Sequence, residues 1–177
     1  MLTEPLPSTL DARKAAVRQA SVSGVLSPAE LPRLRDLLAS ENGEISAELQ
    51  FSRDEEYRYL VQVRARATVE VVCQRCLGAL QISLASDNTL AFVWTDEQAS
   101  QLPRELDPVI AGDEPCNLRE LVEDELMLAM PAFSYHDTEQ CKQILADYDG
   151  SSAVIGSEQA KPNPFDVLAR LKRGEEH

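Results

Sequence analysis

The hydrophobic pattern of the chain changes its period near residue 45. Over residues 45–51 apolar side chains alternate with polar ones, and from Tyr57 to Cys73 the odd positions are all apolar or aromatic. Strict alternation is typical of a β-strand that buries one face and exposes the other. The pattern therefore predicts a short strand over 45–51 and a long strand over 57–73, and the length of the second run leaves room for one bulge.

Shorter strands follow this long one. Alternating apolar residues predict strands over 80–84 and 89–94, and Asp87-Asn88 between them predicts a turn. Because short turns join antiparallel neighbours, we expect these strands to form an antiparallel sheet. Residues 95–116 contain three prolines, one glycine and several acids, so they are predicted to form a loop.

Helix signals flank the sheet region. Asp11 can cap a short helix over 12–18, and Gly24 interrupts the chain after it. The Ser-Pro-Ala-Glu sequence at 27–30 forms a capping box before a leucine-faced helix that should end at Asn42-Gly43. We therefore expect two helices before the first alternating run.

A further helix is predicted to begin at Asn117 and to stop at Pro131. Leucine, valine and alanine form its apolar stripe, and Glu125 lies on that stripe, so this carboxylate should either reach an edge or be paired. The remaining acids are predicted to face water: Glu120, Glu123 and Asp124.

Together these elements predict an α+β fold, in which an antiparallel sheet of about residues 45–94 packs against N- and C-terminal helices. The length of 177 residues suits one domain, or one domain with a tail. We expect residues 1–136 to form a single α+β domain. Residues 137–177 are predicted to form a loosely packed C-terminal extension with a short amphipathic helix at 164–173.

The charge of the chain is unevenly distributed. The formal net charge is −13; residues 96–149 carry 14 acids and three bases, whereas residues 1–95 carry 12 acids and 10 bases. The acidic segment is explained either as a solvated face that keeps the protein in solution or as a surface that attracts a basic partner. It disfavours a large non-specific nucleic-acid footprint, which needs a basic surface.

The sequence also gives an expectation about compartment. It contains no run of 18 apolar residues, and its first five residues lack the basic and apolar regions of a signal peptide. We therefore expect a cytoplasmic protein without a membrane partner.

The four cysteines suggest a metal site. Cys73 and Cys76 form a C-x2-C knuckle directly after the long predicted strand, and His136 with Cys141 supplies an H-x4-C pair. A tetrahedral structural zinc needs four such ligands. Two alternatives stay open, namely reduced cysteines that act as small apolar residues and a redox pair, although a redox C-x2-C would normally open a helix.

Catalytic motifs are sparse. The sequence has no G-x-S-x-G and no phosphate-binding glycine loop. Glu123 or Glu125 together with His136 could hold a divalent cation in a metal-dependent hydrolase or nuclease, but a solvated helix face explains these acids more simply. We therefore expect no enzymatic activity and no small-molecule substrate.

Arginines offer the candidate RNA contacts. Three lie on the polar face of the long predicted strand and one lies inside the knuckle: Arg58, Arg64, Arg66 and Arg75. Same-face arginines on a strand can contact phosphates. The alternative is that they pair with neighbouring acids on the sheet.

Several short motifs, in this order, resemble the bacterial YceD family of large ribosomal RNA subunit accumulation proteins. They cover nearly the whole chain: Cys73-Gln74-Arg75-Cys76, Leu121-Val122-Glu123-Asp124-Glu125-Leu126 leading to Pro131, His136-Asp137 with Cys141, and Lys161-Pro162-Asn163-Pro164-Phe165 before a basic end. The resemblance implies a non-catalytic ribosome-biogenesis factor that promotes accumulation of large-subunit (23S) ribosomal RNA.

The resemblance also bears on the cysteines and the partner. It carries the family's C-x2-C pair and later cysteine onto Cys73, Cys76 and Cys141, and His136 with them, whereas Cys116 matches no family motif. The expected partner is large-subunit ribosomal RNA or a basic ribosomal protein. The alternatives are the metal-dependent nuclease and an acidic chaperone for a basic ribosomal protein.

Overall fold

The computed structural model describes residues 4–112 and 114–147. Within this part of the chain the strands are β1 (Thr9–Leu10), β2 (Ser21–Leu26), β3 (Gly43–Arg53), β4 (Tyr59–Val72), β5 (Ala79–Val93), β6 (Asp107–Ile110) and β7 (Cys116–Asn117). The helices are α1 (Ala12–Val17), α2 (Pro32–Arg35), α3 (Asp96–Ser100), α4 (Leu118–Leu128) and α5 (Glu139–Asp147), with a 3-10 turn at Pro28–Glu30.

The main sheet has five strands in the order β2-β3-β4-β5-β6. All neighbours are antiparallel except β5 and β6, which are parallel. The two long strands pair without interruption from Tyr59 opposite Phe92 to Val72 opposite Ala79, so β4 contains no bulge. The predicted α+β fold with an antiparallel sheet is confirmed, and only its last strand departs from the antiparallel pattern.

The turn predicted at Asp87-Asn88 is wrong, because β5 runs straight through it. Asp87 accepts hydrogen bonds from the side chains of Gln62 at 2.8 Å and Arg64 at 3.2 Å on the neighbouring strand. Asn88 donates to Asp107 at 2.8 Å across to β6. Cross-strand partners therefore hold this polar pair within the sheet, where sequence alone indicates a turn.

Two other expectations need correction. The predicted loop over 95–116 contains α3 and β6, and Gly24 lies inside β2 instead of interrupting the chain. A Cβ at position 24 would lie 2.5 Å from the backbone nitrogen of Leu6. Glycine is required there because the N-terminal segment lies directly against β2, where Pro5 forms a bridge with Val25.

The hydrophobic core lies on one face of the sheet, beneath α1, α2 and α4. Large, fully buried side chains come from two strands, β3 and β4, and from the segments that cover them: Leu31, Leu34, Ile45, Leu49, Phe51, Val61, Val63, Leu118 and Leu126. The odd positions of β4 from Val61 to Val71 are buried, Tyr59 is half-buried, and most even positions are exposed, as the alternation predicts.

The helix predicted to run to Asn42-Gly43 is shorter than expected. The capping box is present, since Glu30 accepts from the backbone amide of Ser27 at 2.9 Å. It caps only the 3-10 turn, because Pro32 begins a separate one-turn helix. Leu37, one of the leucines after the capping box, is 49% exposed, so the predicted leucine face is only partly buried.

Two acids of helix α4 are buried and hydrogen-bonded, Glu123 against the prediction and Glu125 in line with one of its two predicted alternatives. Glu123, expected to face water, is 2% exposed and accepts hydrogen bonds from the backbone amides of Arg33 at 2.6 Å and Leu34 at 3.0 Å. It is buried because it caps the free amides at the start of α2. Glu125 is paired, accepting from Ser86 Oγ at 2.5 Å.

Beyond α4, residues 139–147 form α5 at the start of the predicted C-terminal extension. The domain boundary at 136 stays a prediction. The amphipathic helix predicted at 164–173 lies outside the described residues. None of the helices that the structure describes is long and apolar enough to cross a membrane.

Candidate metal centre

Cys73, Cys76, His136 and Cys141 meet at one end of the β4–β5 hairpin. One ligand atom from each residue lies within 4.8 Å of the others. The sulfurs of Cys73 and Cys141 are 3.6 Å apart, and Cys76 Sγ is 3.2 Å from His136 Nδ1. In a tetrahedral zinc site the ligand atoms are roughly 3.5–3.8 Å apart, as bond lengths of about 2.3 Å to sulfur and 2.0 Å to nitrogen require. These four residues could therefore hold one metal ion.

The knuckle is shaped by backbone hydrogen bonds that close the hairpin. The Cys73 amide donates to the Gly78 carbonyl at 2.8 Å, and the Leu77 amide donates to the Cys73 carbonyl at 2.9 Å. Leu77 adopts a positive φ of 60°, which turns the chain back into β5. Cys73 is fully buried and Cys76 is half-buried, and both sulfurs lie within 4.8 Å of the other two ligand atoms of the cluster.

The other two ligands are brought to the knuckle by residues 134–141. The Gln74 amide donates to the Ser134 carbonyl at 2.9 Å, which holds this segment beside the turn. His136 Nε2 lies 2.9 Å from the Ala79 carbonyl, and since a carbonyl only accepts, Nε2 carries the hydrogen. Nδ1 then offers its lone pair toward Cys76, which is the ring orientation that a metal ligand needs.

Cys141 reaches the cluster from the first turn of α5 and is 3% exposed. Thr138 helps to form that turn, because its hydroxyl accepts from the Cys141 amide at 3.4 Å. Lys142 is held on the outside by Asp137 at 2.9 Å and Glu139 at 3.2 Å. Helix α5 therefore contacts the knuckle through its single cysteine.

The thiols of the cluster differ in acidity. Burial opposes ionisation of Cys73, but hydrogen bonds from the backbone of Cys76, Arg75 and His136 outweigh it and lower the pKa of Cys73 to about 5. Burial, together with the neighbouring Cys73, raises the pKa of Cys141. Backbone amides thus favour negative charge at the centre of the cluster, as a thiolate ligand for a cation requires.

An aromatic pair beside the cluster went unnoticed in the sequence. Phe133 and Tyr135 stack with ring centroids 6.2 Å apart, and the Arg75 guanidinium lies 4.8 Å from the Tyr135 ring. The only available signal was their i, i+2 spacing directly before His136. Arg75, predicted as an RNA contact, therefore lies against an aromatic ring at the edge of the knuckle.

The structure does not gather the four predicted RNA-binding arginines into one patch. Arg58 pairs with Asp54 at 2.5 Å in the turn before β4, and Arg64 pairs with Asp87 at 3.2 Å. Arg66 lies beside Arg64 on the outer face of β4, where both line a shallow groove. From Arg58 to Arg75 an extended chain covers roughly 50 Å. Only Arg64 and Arg66 are close neighbours.

The residues of the hydrolase alternative are also separated. Glu123 binds the start of α2, Glu125 binds Ser86 on β5, and His136 belongs to the cysteine cluster. Within residues 4–112 and 114–147, the cluster of Cys73, Cys76, His136 and Cys141 is the only group of three or more His, Cys, Asp or Glu side chains close enough to hold a metal. The buried carboxylates therefore serve different contacts.

The fold and the cluster define an α+β protein whose longest hairpin ends in a Cys3His cluster that could hold a metal ion. Residues 61–172 match the family described as Large ribosomal RNA subunit accumulation protein YceD. The protein of that name from Haemophilus influenzae is 31% identical over 170 residues, covering 95% of this chain and 97% of that protein. The chain belongs to the YceD family, which confirms the resemblance inferred from its motifs. No solved structure matches it.

Proposed function

We propose that the chain is a cytoplasmic ribosome-biogenesis factor that promotes accumulation of large-subunit ribosomal RNA by binding a basic ribosomal protein. The family name implies the process, a role in large ribosomal subunit RNA accumulation. The observation that carries the choice of partner is the charge of residues 96–149, with 14 acids and three bases. A surface of this sign attracts a basic protein and repels a phosphate backbone.

The arginines support the same choice of partner. Arg58 and Arg64 are neutralised by Asp54 and Asp87. Each ion pair would have to open before the arginine could release counterions from RNA. A contact between RNA and the remaining pair, Arg66 and Arg75, would be local.

A binding role, without catalysis, fits the carboxylates of α4. A general acid must be free to reach the substrate, and a ligand of a catalytic metal must be free to bind the ion. Glu123 is instead occupied by three hydrogen bonds from Arg33 and Leu34, and Glu125 by Ser86 and Asn88.

The Cys3His cluster is proposed to hold a structural zinc ion. Four ligand atoms fill a tetrahedral site and leave no open position for water, which is the arrangement of a structural centre. The ion would join the end of β4 to His136 and α5, where the four side chains already converge.

The functional proposal is tested in cells that lack the gene and are supplied with this chain. We expect the ratio of large- to small-subunit ribosomal RNA to return to normal, and a basic ribosomal protein to co-purify with the chain after nuclease treatment. Enrichment of large-subunit RNA by crosslinking, without any such protein, would replace the protein partner with RNA. Metal-dependent cleavage of precursor RNA by the purified chain would overturn the binding mechanism.

The metal proposal is tested on untagged protein purified without added metal. We expect one zinc per chain, lost in Cys73→Ser and kept in Cys116→Ser, because Cys116 lies in β7 away from the cluster. A zinc content well below one ion per chain in the wild-type protein would contradict the metal proposal.

A further inference from the structure

A wide cleft separates α4 from β6, the last strand of the main sheet. Its volume is about 1050 Å³. Leu90 and Phe92 on the inner face of β5 line its floor, and apolar side chains of β6 and α4 line its sides. At its mouth, Ile110 is 61% exposed and Leu128 is 80% exposed. We call this the acidic cleft, because apolar surface open to water is combined there with carboxylates.

Five carboxylates line the acidic cleft, and no lysine or arginine of residues 4–112 and 114–147 does so. They are Asp107, Glu114, Glu120, Asp124 and Glu125. In the described part of the chain only Asp124 has a basic partner within 4.0 Å, the Arg33 guanidinium at 2.7 Å. Four negative charges are thus left without a nearby cation, and the apolar walls strengthen their field.

The inner end of the cleft places two of these carboxylates around one amide. Asn88 Nδ2 donates to Asp107 at 2.8 Å and to Glu125 at 3.3 Å. Glu125 is 4% exposed, and its other hydrogen bond comes from the neutral hydroxyl of Ser86. A nearby cation stabilises a buried carboxylate that has only neutral hydrogen-bond donors, because the opposite charge offsets the cost of removing the carboxylate from water.

The two edges of the main sheet differ. Edge strand β2 is covered by the N-terminal segment, since the Val25 amide donates to the Glu4 carbonyl at 2.9 Å and the Leu6 amide donates to the Val25 carbonyl at 3.2 Å. Edge strand β6 pairs only with β5, and no other strand within the described ranges joins it. Pro108 has no amide hydrogen to donate, so this four-residue edge offers a further extended chain only its remaining backbone groups.

We propose that the acidic cleft binds an extended, basic segment of a partner protein. The segment adds to the edge of β6, places apolar side chains on the floor of the cleft and directs lysine or arginine toward Asp107 and Glu125. The inference rests on the proposed function, because it supplies the surface by which the chain would hold a basic ribosomal protein.

Other occupants fit the cleft less well. RNA phosphates would be repelled by its carboxylates, and a second copy of the chain brings a net charge of −13. The chain's own basic residues at 161–173 lie outside the described residues, so their occupancy of the cleft is an outcome of the test.

The first experiment measures binding of a fluorescein-labelled peptide of about eight residues, Lys-Ser-Val-Ser repeated, in which lysine and valine share the one face of the strand that meets the cleft. We expect Asp107→Asn with Glu125→Gln to weaken binding roughly tenfold or more. The matched control, Glu41→Gln with Glu55→Gln, removes the same charge at exposed positions away from the cleft and should change affinity less than about twofold. Equal weakening in both variants would overturn the proposal, since non-specific attraction would then suffice.

A second variant keeps the test valid if the buried pair is needed for folding. Leu128 is 80% exposed, so Leu128→Lys leaves the core unchanged and repels a basic peptide at the mouth of the cleft. Amide exchange then locates the peptide, with slower exchange expected at residues 107–111 and 118–128. Slower exchange elsewhere would contradict the assignment. Tight binding of the same peptide with glutamate in place of lysine would also contradict it. A crosslink that places residues 161–173 in the cleft would show that the chain's own C-terminal segment, not a partner, occupies it.

The inference and the proposed function fail separately. If the wild-type chain restores ribosomal RNA but the cleft variants restore it equally well and still bind the peptide, only the cleft assignment is wrong. If the wild-type chain fails to restore it while the peptide still binds in the cleft, only the proposed function is wrong.

Discussion

The two ends of the β4–β5 hairpin are stabilised by different means. Near Tyr59, aromatic side chains pack on one another, with Phe51 and Phe92 stacked at 6.3 Å and Tyr59 set edge-on against Trp94 at 5.6 Å. At the other end, Cys73 is buried outside the contiguous hydrophobic core, among two thiols and an imidazole.

This difference between the two ends follows from the limited area of the sheet that the hydrophobic core covers. Helices α1, α2 and α4 cover the middle of the sheet, but β4 is 14 residues long and continues past them. The strand end beyond these helices lies outside the contiguous core, so other contacts must stabilise it, and a metal centre does this with few residues. The cysteine end should therefore depend on the proposed zinc, and the aromatic end should not.

Removal of the metal should have the largest effect and should be confined to one end. With chelator, amides of residues 134–142 are expected to exchange at least about 100-fold faster, because a structural zinc contributes much of the stability of the segment it holds. The amides of β3 should stay protected. Hydrogen exchange followed by mass spectrometry measures both regions in one sample.

The control for this prediction is Cys73→Ser, which should exchange quickly at residues 134–142 with or without chelator. If chelator leaves exchange unchanged in the wild-type protein, the cluster is not a metal centre. If it exposes the whole sheet, the two ends are not independent.

Truncation of the aromatic end should destabilise the entire domain. Phe51 is fully buried and stacked on Phe92, so Phe51→Ala is expected to lower the free energy of unfolding by about 3–5 kcal/mol. Phe133→Ala removes the same side chain beside the cluster, where it is 69% exposed, and should cost less than about 1 kcal/mol. Urea denaturation measures both, and equal losses would contradict the contrast.

The sheet could be predicted from the sequence more fully than the site. Alternation located β3 and β4 to within a few residues, because a one-face core imposes a period of two. The same reasoning wrongly predicted a turn at Asp87-Asn88. The partners that hold this pair in the sheet are distant in sequence: Gln62, Arg64 and Asp107. The pattern of neighbouring residues predicts a strand, but it does not show polar contacts between strands, because those join residues that are distant in the sequence.

The candidate metal centre could likewise be predicted only in part from the sequence. The C-x2-C spacing pointed to Cys73 and Cys76, and the structure brings His136 and Cys141 to them. Spacing alone could not show that the Ala79 carbonyl orients the His136 ring, because that contact depends on the hairpin closing. The burial of Glu123 was missed for a similar reason, as its partners are the amides of a helix 90 residues earlier in the chain.

That buried carboxylate should matter more than the acid beside it. Glu123→Gln leaves one oxygen to accept from the Arg33 and Leu34 amides but loses the charge that faces Arg33 Nε at 2.9 Å. We expect a loss of about 2 kcal/mol in the free energy of unfolding. Asp124→Asn, whose ion pair with Arg33 is half exposed, should cost about 0.5 kcal/mol. Equal costs would mean that burial does not strengthen the contact.

The capping box, which lies at the edge of the core, should contribute less to stability than Glu123 does. Ser27 Oγ accepts from the Ala29 amide at 3.2 Å, so Ser27→Ala should cost about 1 kcal/mol, measured by urea denaturation. Ser23→Ala is the matched control, because Ser23 is exposed on β2 and makes no side-chain hydrogen bond within the described residues. Since the turn at Pro28–Glu30 precedes Leu31 and Leu34, both fully buried, a lost cap should weaken the sheet core and leave the zinc content unchanged. A fall in zinc content in Ser27→Ala would show that the core and the cysteine end are coupled, and the contrast between the two ends would then fail.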